Sequence, residues 1–218
     1  MDREIYTLKV YSTRTEYDTF RLELTPHEND EENDYLGMNF NVTLWCRGSL
    51  CAKLWGKLYD ELLVYGSALD ILNAADPLGP EEVALAEAFN ECTQMQVRTK
   101  EWKNTQGFSG YLQGVFVLPQ YRRRGIARYL LTHLHRILYH ALNIRIRAVG
   151  VSSKPIAEMD GEPVNDAAQS ALNREILAKC GYSEIQDLSL QGMTYGNYEE
   201  EEETGTGYYV RAYPPENG

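Results

Sequence analysis

The sequence predicts one domain of the α/β class, of the α+β type, in which strands and amphipathic helices share a core. Segments with strand-like alternation occur near both ends and in the middle of the chain, and segments with helical periodicity lie between them. Apolar residues make up 43% of the 218 residues, which is enough to build a substantial core. No internal repeat or linker-like segment divides the chain, so residues 1–218 are expected to form a single domain.

The first 106 residues are predicted to combine strands with two helices. The turn Arg47-Gly48-Ser49 separates the third and fourth strand segments and indicates a hairpin. Leucines spaced four apart in the fourth segment would also suit a helix, and we favour the strand. The predicted elements are strands at Ile5–Ser12, Phe20–Leu24, Met38–Cys46 and Leu50–Tyr59, and helices at Asp60–Ala74 and from Pro80 onward.

Residues 107–182 are predicted to alternate between strands and helices, and residues 183–218 to add C-terminal strands. The helix predicted at Pro163–Cys180 has Asn165 as its N-cap and Gly181 as its C-cap. Five consecutive acids at Glu199–Glu203 repel one another and predict an exposed loop. The predicted elements are strands at Gly110–Leu118, Ile144–Ser152, Leu188–Tyr195 and Tyr208–Tyr213, and helices from Ile126 and at Pro163–Cys180.

Charge is distributed unevenly along the chain. The formal net charge is −11, which argues against wrapping nucleic acid or binding an anionic membrane through bulk charge. Between Glu101 and Glu158, however, there is no acidic residue and there are nine Lys or Arg, so the rest of the chain sums to −11 − 9 = −20. A basic segment within an acidic protein predicts a local anion site.

Membrane insertion, secretion and metal binding find no support in the sequence. There is no run of 18 apolar residues, and the first residues lack the apolar stretch of a secretory signal, so we expect a cytoplasmic protein. Four cysteines without a CxxC pair, and without histidine at ligand spacing, predict ordinary thiols and no metal. Cys46 and Cys51 flank the hairpin turn, so a cross-strand pair is geometrically possible.

The most informative segment is a strand that leads through a basic turn directly into a helix. The first turn of a helix has backbone N–H groups without partners and the positive end of the helix dipole. Gly125 lets a phosphate approach the backbone closely, Ala127 adds little bulk, and the neighbouring arginines add charged donors. Together these features predict a pyrophosphate site. The spacing fits neither the phosphate loop with GKS or GKT nor the dinucleotide motif GxGxxG.

These residues resemble the coenzyme A signature of the GNAT superfamily of acyltransferases. The signature reads Arg122-x-x-Gly125-x-Ala127 and follows a strand that ends in Val117-Leu118-Pro119. A following strand, a helix and the pair Gly181-Tyr182 match the next elements of that family. The resemblance implies a mixed, mostly antiparallel sheet flanked by helices, with two splayed central strands between which the pantetheine arm lies. Residues 1–106 would form the acceptor-side half and residues 107–182 the coenzyme A-binding half.

The resemblance also implies which residues hold the cofactor. Main-chain groups of Phe116 and Val117 would bond the pantetheine amides, and backbone amides of the turn and first helical residues would hold the pyrophosphate. Arg122 or Arg124 would reach a phosphate, and Asn173 stands at one of two motif positions on the following helix, with Ser170 at the other. The implied set is Phe116, Val117, Arg122, Arg123, Arg124, Gly125, Ile126, Ala127, Arg128 and Asn173.

The sequence departs from the family at both expected catalytic positions. Leu177 stands where many members carry a tyrosine general acid, and Gln113 stands where many carry a glutamate general base. An amide cannot take up a proton at neutral pH. Tyr182 and Tyr195 supply phenols nearby in sequence, and Tyr111 shares a strand face with Gln113. Tyr111, Gln113 and Tyr182 are therefore the catalytic candidates, and Asp34, Asp60 and Glu61 are unranked candidates for the base.

The expected function is transfer of an acetyl group from acetyl-CoA to a primary amine by direct attack. The acidic remainder of the chain favours a cationic acceptor: a protein lysine or N-terminus, a polyamine or an aminosugar. The alternative is a CoA-binding or protein-interaction module that is catalytically weak or inactive, which the departures at Gln113 and Leu177 support. Nucleic-acid binding is disfavoured by the net charge and by the lack of aromatics interleaved with the arginines. The oligomeric state is left open.

Overall fold

A computed structural model of the chain describes residues 4–8, 19–26, 37–60, 108–184 and 207–213. The predicted helices after residue 60, the strand at Leu188–Tyr195, the Glu199–Glu203 run and the candidates Tyr195, Asp34 and Glu61 lie outside these residues. The strands are β1 Glu4–Leu8, β2 Thr19–Pro26, β3 Gly37–Cys46, β4 Ser49–Asp60, β5 Phe108–Val117, β6 Ile146–Ser152, β7 Ser183–Glu184 and β8 Tyr208–Ala212. The helices are a single 3₁₀ turn at Pro119–Tyr121, α1 Ile126–Leu142 and α2 Ala167–Lys179.

The eight described strands form one mixed sheet in the order β1-β2-β3-β4-β5-β6-β8-β7. Every neighbouring pair is antiparallel except β5 and β6, which are parallel and connected through α1. A parallel pair needs a crossover connection, and the helix supplies it. The predicted α+β class with a mixed, mostly antiparallel sheet is therefore confirmed.

The β3–β4 hairpin settles the ambiguity between strand and helix in the fourth segment. The two central turn residues, Arg47 and Gly48, have φ angles of 49° and 80°. Positive φ at both positions is the geometry of a type I′ turn, whose twist matches that of two antiparallel strands. The second strand then pairs with β3 from Ser49 to Tyr59, so the strand prediction is confirmed.

The main core lies between α1 and one face of the sheet. Along β3 the buried residues alternate with half-buried ones, which is the pattern of a strand with one face in the core. The buried leucines and isoleucines of α1 recur three or four residues apart and form its apolar face. Central core side chains are Val42, Leu44, Leu54, Leu58, Leu112, Leu130, Leu134 and Leu138. A smaller group on the other face contains Tyr111 and Ala148.

Strands β5 and β6 separate partway along their length. Their parallel pairing runs from Phe108 opposite Ile146 to Leu112 opposite Val151, whereas β5 continues to Val117. On the other side of β5, the register with β4 shifts between Trp55 and Gly56, which leaves Gln113 as the extra residue of a β-bulge. A bulge bends its strand and increases the local twist. The gap between the splayed central strands therefore opens at Gln113, as the family resemblance implied.

Helix α2 begins and ends close to its predicted limits, with one change of cap. Asp166, not Asn165, is the N-cap: its backbone is extended and its Oδ1 accepts a hydrogen bond from Gln169 N at 3.0 Å. Both residue types are good caps, so sequence alone could not choose between them. At the other end Cys180 is the C-cap, and Gly181 follows it with φ 82° in the left-handed conformation.

Candidate active site

The basic turn places an open backbone at the N-terminus of α1. Gly125 is the N-cap, with φ 78°, and its carbonyl accepts the first helical hydrogen bond from Tyr129 N at 2.9 Å. The backbone amides of Ile126, Ala127 and Arg128 precede this first helical bond and have no acceptor within the helix. Gly125 has no side chain to cap them. A Cβ built on Gly125 would meet no atom within 4 Å. The first turn contains no acid, so its geometry and dipole suit an anion.

The arginines of the turn do not all face the same way. Arg122 donates from Nε to the carbonyl of Val117 at 3.0 Å, and its guanidinium lies over the ring of Phe116 at 5.4 Å. This arrangement fixes the guanidinium at the end of β5. Arg124 instead lies over the ring of Tyr121, at 5.6 Å, and is outside the cleft beside the turn. Of the two arginines predicted to reach a phosphate, Arg122 lines the cleft and Arg124 does not.

A cleft of about 820 Å³ runs along the turn, the start of α1 and the facing side of α2. Every residue of the implied cofactor set except Arg124 lines it, including the buried Ile126 and the half-buried Ala127. Pro155, Ile156 and Ala157 close the opposite wall and make much of it apolar. The residues shared with the implied set are Phe116, Val117, Arg122, Arg123, Gly125, Ile126, Ala127, Arg128 and Asn173.

The ladder between β4 and β5 decides which main-chain groups of β5 face the gap. Leu118 N donates to Cys51 O at 2.9 Å, which makes that opposed pair a hydrogen-bonded one. Along an antiparallel ladder, hydrogen-bonded pairs of opposed residues alternate with pairs that are not hydrogen-bonded. The amide and carbonyl of Phe116 therefore bond to β4, whereas the amides and carbonyls of Val115 and Val117 point away from β4. The main-chain role implied for Phe116 does not fit this ladder, in which Val115 has the groups that face the gap. The reason is that the Phe116 amide and carbonyl are used by the sheet.

A narrow channel of about 80 Å³ passes through the gap between β5 and β6. It shares Val115, Ala127 and Ile156 with the cleft, so the two spaces adjoin. Asn173 also lines both; its amide donates to Ser153 O at 3.0 Å and its Oδ1 accepts from Gln169 at 3.2 Å. Leu177, at the position expected for a tyrosine, lines the channel with an apolar side chain.

On the far side of the gap lies a polar cavity of about 410 Å³. It shares Gln113 and Lys154 with the channel, so the cleft, the channel and this cavity lie next to one another in that order across the sheet. We call this arrangement the path through the sheet. Tyr111 and Gln113 are catalytic candidates from the sequence that line it, and Trp55 from β4 adds a second aromatic wall. We call it the far cavity; the remaining lining residues are Asp160, Gly161, Glu162 and Pro163.

The acidic residues of the far cavity come from the loop between β6 and α2. This loop closes on itself, because Ile156 and Pro163 form an isolated β-bridge and Val164 N donates to Pro155 O at 2.9 Å. An ion pair from Asp160 to Lys53 fastens it to β4. The sequence does not predict Lys154, Asp160 or Glu162 as site residues, because no motif spacing distinguishes them from other surface charges.

The third catalytic candidate, Tyr182, is placed elsewhere. It is 3% exposed and packs in the core on the α1 side, and it lines none of the three spaces described above. Burial first, and then the neighbouring Tyr213, raise the pKa of Tyr182 well above its usual value of 10. A phenol held in this way does not deliver a proton to the channel. The structure does not support Tyr182 as a catalytic residue.

The described part of the chain contains neither a cluster of metal-binding side chains nor a disulfide bond. No group of three or more potential metal-binding side chains occurs there. Cys46, Cys51 and Cys180 are free and buried, so the cross-strand pair that the hairpin allowed is not formed. Burial, and then the neighbouring Cys46, raise the pKa of the Cys51 thiol. Among the described helices, none is long and apolar enough to cross a membrane.

Comparison with known proteins gives one informative match. The family described as acetyltransferase (GNAT) matches residues 91–154. No curated protein shows significant sequence similarity to the chain.

Solved structures give distant likenesses. A Drosophila melanogaster polyamine N-acetyltransferase has 10% identity and a TM-score of 0.41, over 79% of this chain and 74% of that one. A Bacillus subtilis acetyltransferase in complex with CoA has 11% identity and a TM-score of 0.37, over 89% and 99%. A mosquito arylalkylamine N-acetyltransferase-like protein has 11% identity and a TM-score of 0.39, over 79% and 74%. TM-scores below 0.5 at such identities carry no conclusion about activity or substrate.

The family match covers β5, the basic turn, α1 and β6, which are the elements that form one wall of the cleft and both edges of the gap. Residues 91–154 thus match the GNAT acetyltransferase family, the family whose coenzyme A signature the motif resembles.

Proposed function

We propose that the chain is an acetyl-CoA-dependent N-acetyltransferase that acts on a primary amine of a cationic acceptor. The observation that carries the proposal is the path through the sheet: a basic cleft on one side, a channel, and a carboxylate-bearing cavity on the other. An acyl donor and an acceptor that enter from opposite sides would meet in the channel. Holding two reactants in such an arrangement is a large part of catalysis for a bimolecular reaction.

The donor side fits coenzyme A in each of its parts. The uncapped first turn of α1, with Arg122, Arg123 and Arg128, suits the phosphates. Main-chain groups of Val115 and Val117 at the open edge of β5 suit the amides of the pantetheine arm. The narrow channel then suits the thioester itself, because only a thin chain can enter it.

The reaction needs no covalent enzyme intermediate. The amine nitrogen forms the new bond to the thioester carbonyl carbon, the carbon–sulfur bond breaks, sulfur keeps the electron pair, and nitrogen releases one proton. Asp160 and Glu162 give the far cavity carboxylates that attract a cationic acceptor and take up that proton, directly or through water. The aromatic walls from Trp55 and Tyr111 favour a cation by the same electrostatics.

The binding part of the proposal is tested by thermal unfolding with and without acetyl-CoA. A ligand at 100 times its Kd stabilises a protein by about 2.7 kcal/mol, and each kcal/mol raises Tm by roughly 2–4 °C at this size. We expect an increase of about 5–10 °C. No increase at millimolar acetyl-CoA would contradict the proposal.

Two glycines provide a matched pair of variants for this test. Gly125 and Gly48 have φ angles of 78° and 80°, and in neither case does a built Cβ meet an atom within 4 Å. Asparagine tolerates this conformation, so both substitutions are expected to fold. Gly125→Asn places a side chain over the open amides of α1 and should abolish the acetyl-CoA shift. Gly48→Asn, in the β3–β4 turn, should retain it.

The catalytic part is tested by release of free thiol from acetyl-CoA across a panel of amines. The second candidate function, a CoA-binding module with weak or no catalysis, is favoured by Leu177 and Gln113, which remove the usual acid and base positions. Amine-dependent thiol release would support the enzyme. A thermal shift without release for any amine would support the module.

A further inference from the structure

The channel contains one ionisable side chain among the residues that line it in the described structure. That side chain is Lys154, which also lines the far cavity and so stands where the two spaces meet. The other channel residues are apolar or uncharged: Gln113, Gly114, Val115, Ala127, Leu131, Val151, Ser152, Ile156, Asn173, Ile176 and Leu177.

The backbone that carries Lys154 is held on three sides. The preceding residue, Ser153, is fully buried; its amide donates to Gly207 O and its hydroxyl accepts from Gly207 N, both at 2.9 Å. Its carbonyl accepts the Asn173 amide from α2 at 3.0 Å. Lys154 N itself donates to Ser152 Oγ at 3.2 Å. The half-buried lysine therefore projects from a rigid end of β6, which is a requirement for precise placement of a charge.

We propose that Lys154 stabilises the thiolate that leaves when the carbon–sulfur bond breaks, in place of the tyrosine that Leu177 replaces. This inference rests on the proposed function. The sulfur leaves with the electron pair of the bond, and the lysine ammonium offers it a hydrogen bond and an opposite charge within a largely apolar channel. The interaction is electrostatic, and the thiolate departs as an anion. The proton lost by the amine leaves through the far cavity.

Lys154 thus takes a different role from a tyrosine general acid. It lowers the energy of a full negative charge on sulfur and transfers no proton to it. Its charge also opposes protonation of an acceptor amine at the junction, which keeps the attacking nitrogen neutral. Both effects depend on charge at one place, and so they are lost when the side chain keeps its length without the charge.

The test uses the product, CoA, and needs no acceptor. The thiol of protein-bound CoA is titrated by ultraviolet absorbance of the thiolate, with the same protein without CoA subtracted. Burial raises the pKa of the Cys51 and Cys180 thiols, which reduces their contribution to the signal. The variants are Lys154→Met, which keeps the length without charge, and Lys154→Arg, which keeps the charge. Lys179→Met removes a lysine that pairs with Glu175 on the exposed side of α2 and serves as the control.

We expect the bound thiol to have a pKa lower by about one unit or more in the wild type than in Lys154→Met. Lys154→Arg should recover part of the difference, and Lys179→Met should match the wild type. With a turned-over amine, Lys154→Met should lower kcat with little change in the KM for acetyl-CoA, because the interaction exists only as sulfur becomes charged.

The outcomes separate this inference from the proposed function. If wild type and Lys154→Met both show the CoA-induced thermal shift but the same thiol pKa, the role of Lys154 is overturned and the proposed function stands. If the wild type shows no shift with CoA, the proposed function fails and this inference fails with it. If Lys154→Met does not fold, Lys154→Gln, which also removes the charge, takes its place: a raised pKa of the bound thiol supports the role of Lys154, and an unchanged pKa overturns it.

Discussion

Two side chains of the same type can have different surroundings in this protein. Tyr111 and Tyr182 are both buried phenols that the sequence offers as catalytic candidates. Tyr111 lines the far cavity, whereas Tyr182 packs beside Tyr213 in the core on the α1 side. Their distance along the chain from the signature motif gives no indication of this difference. Which of them faces a ligand follows from which face of the sheet each side chain occupies.

Tyr182→Phe is expected to leave turnover unchanged and to maintain or raise stability at neutral pH. The phenol oxygen is buried beside Tyr213, so removing it removes a desolvation cost. Thiol-release kinetics and urea unfolding at pH 7 measure the two quantities. A loss of turnover in a folded variant would restore Tyr182 as a catalytic candidate.

The same variant, Tyr182→Phe, should change how the free energy of unfolding depends on pH in the alkaline range. Burial raises the pKa of Tyr182 in the folded protein, so the unfolded chain releases this proton first, from about pH 10 upward. The contribution of the Tyr182 phenol to the free energy of unfolding is therefore fully present below pH 10 and is lost as pH rises toward the pKa of the folded state. The free energy of unfolding should fall less between pH 9 and pH 11 in Tyr182→Phe than in wild type. Tyr139→Phe, on the exposed side of α1, controls for the loss of one phenol.

Asp160→Asn is expected to weaken acceptor binding with little effect on stability. The Lys53 and Asp160 side chains are 17% and 57% exposed, so their ion pair contributes about 1 kcal/mol or less. Asparagine also tolerates the positive φ of 62° at this position. The KM for a cationic amine should rise about fivefold, which corresponds to roughly 1 kcal/mol. Glu175→Gln, which breaks the exposed pair on α2, should leave that KM unchanged; equal KM values for both variants would contradict the role of Asp160.

Among the strands and helices, the β-bulge at Gln113 has the largest consequence for the site. It lies where β5 leaves its partner β6, and it brings Gln113 between the channel and the far cavity. Gly56, opposite the bulge, permits this approach, because a Cβ there would lie 2.0 Å from the Tyr111 carbonyl oxygen. The sequence predicts the strand but not the bulge, since an extra residue in a ladder has no pattern of its own.

Gly56→Ala is therefore expected to destabilise the protein and to disrupt acetyl-CoA binding together. The new methyl group must displace the backbone of β5, and overpacking of this kind costs about 1–3 kcal/mol or more. Thermal unfolding should show a Tm lower by roughly 2–12 °C and a reduced shift with acetyl-CoA. Gly110→Ala on β5 is the control, because its Cβ would meet the Val149 side chain at 3.3 Å and no backbone atom closer. Equal stability and equal shifts in the two variants would show that the bulge does not depend on Gly56.

For the chain as a whole, the two ends of the path through the sheet differ in charge. The basic segment between Glu101 and Glu158 supplies the arginines of the cleft, and the far cavity includes the carboxylates of Asp160 and Glu162 together with Lys154. Under the proposed function, an anionic donor is attracted to the arginines of the cleft and a cationic acceptor to the carboxylates of the far cavity. The net charge of −11 alone would have predicted only repulsion of CoA.

Ionic strength should therefore raise the KM of a charged acceptor. Electrostatic attraction between exposed charges decays over about 10 Å at 0.1 M salt and about 3 Å at 1 M. Between these concentrations the KM for spermidine, used as a polycationic probe, should rise several-fold with kcat nearly constant. A monoamine of similar size should respond less. Equal responses of the two amines would exclude steering by the acidic cavity.

The cleft is predictable from local sequence because most of its implied residues are contiguous. A strand, a basic turn with Gly125 and an amphipathic helix together specify an open helix N-terminus, and the structure places nine of the ten implied cofactor residues on one cleft. The strands β2, β3, β4 and β5 and helix α1 follow from alternation and helical periodicity in the same way. Each of these features depends on neighbours only a few residues away.

The far cavity was decided by the tertiary structure. Trp55, Tyr111, Lys154 and Glu162 come from β4, β5 and the loop before α2, and only the sheet register and the Asp160–Lys53 ion pair bring them together. The direction of the Val115 main-chain groups likewise depends on the phase of the β4–β5 ladder. Contacts between distant segments have no periodicity in the sequence, so the sequence predicts the basic turn at the start of α1 but not the far cavity.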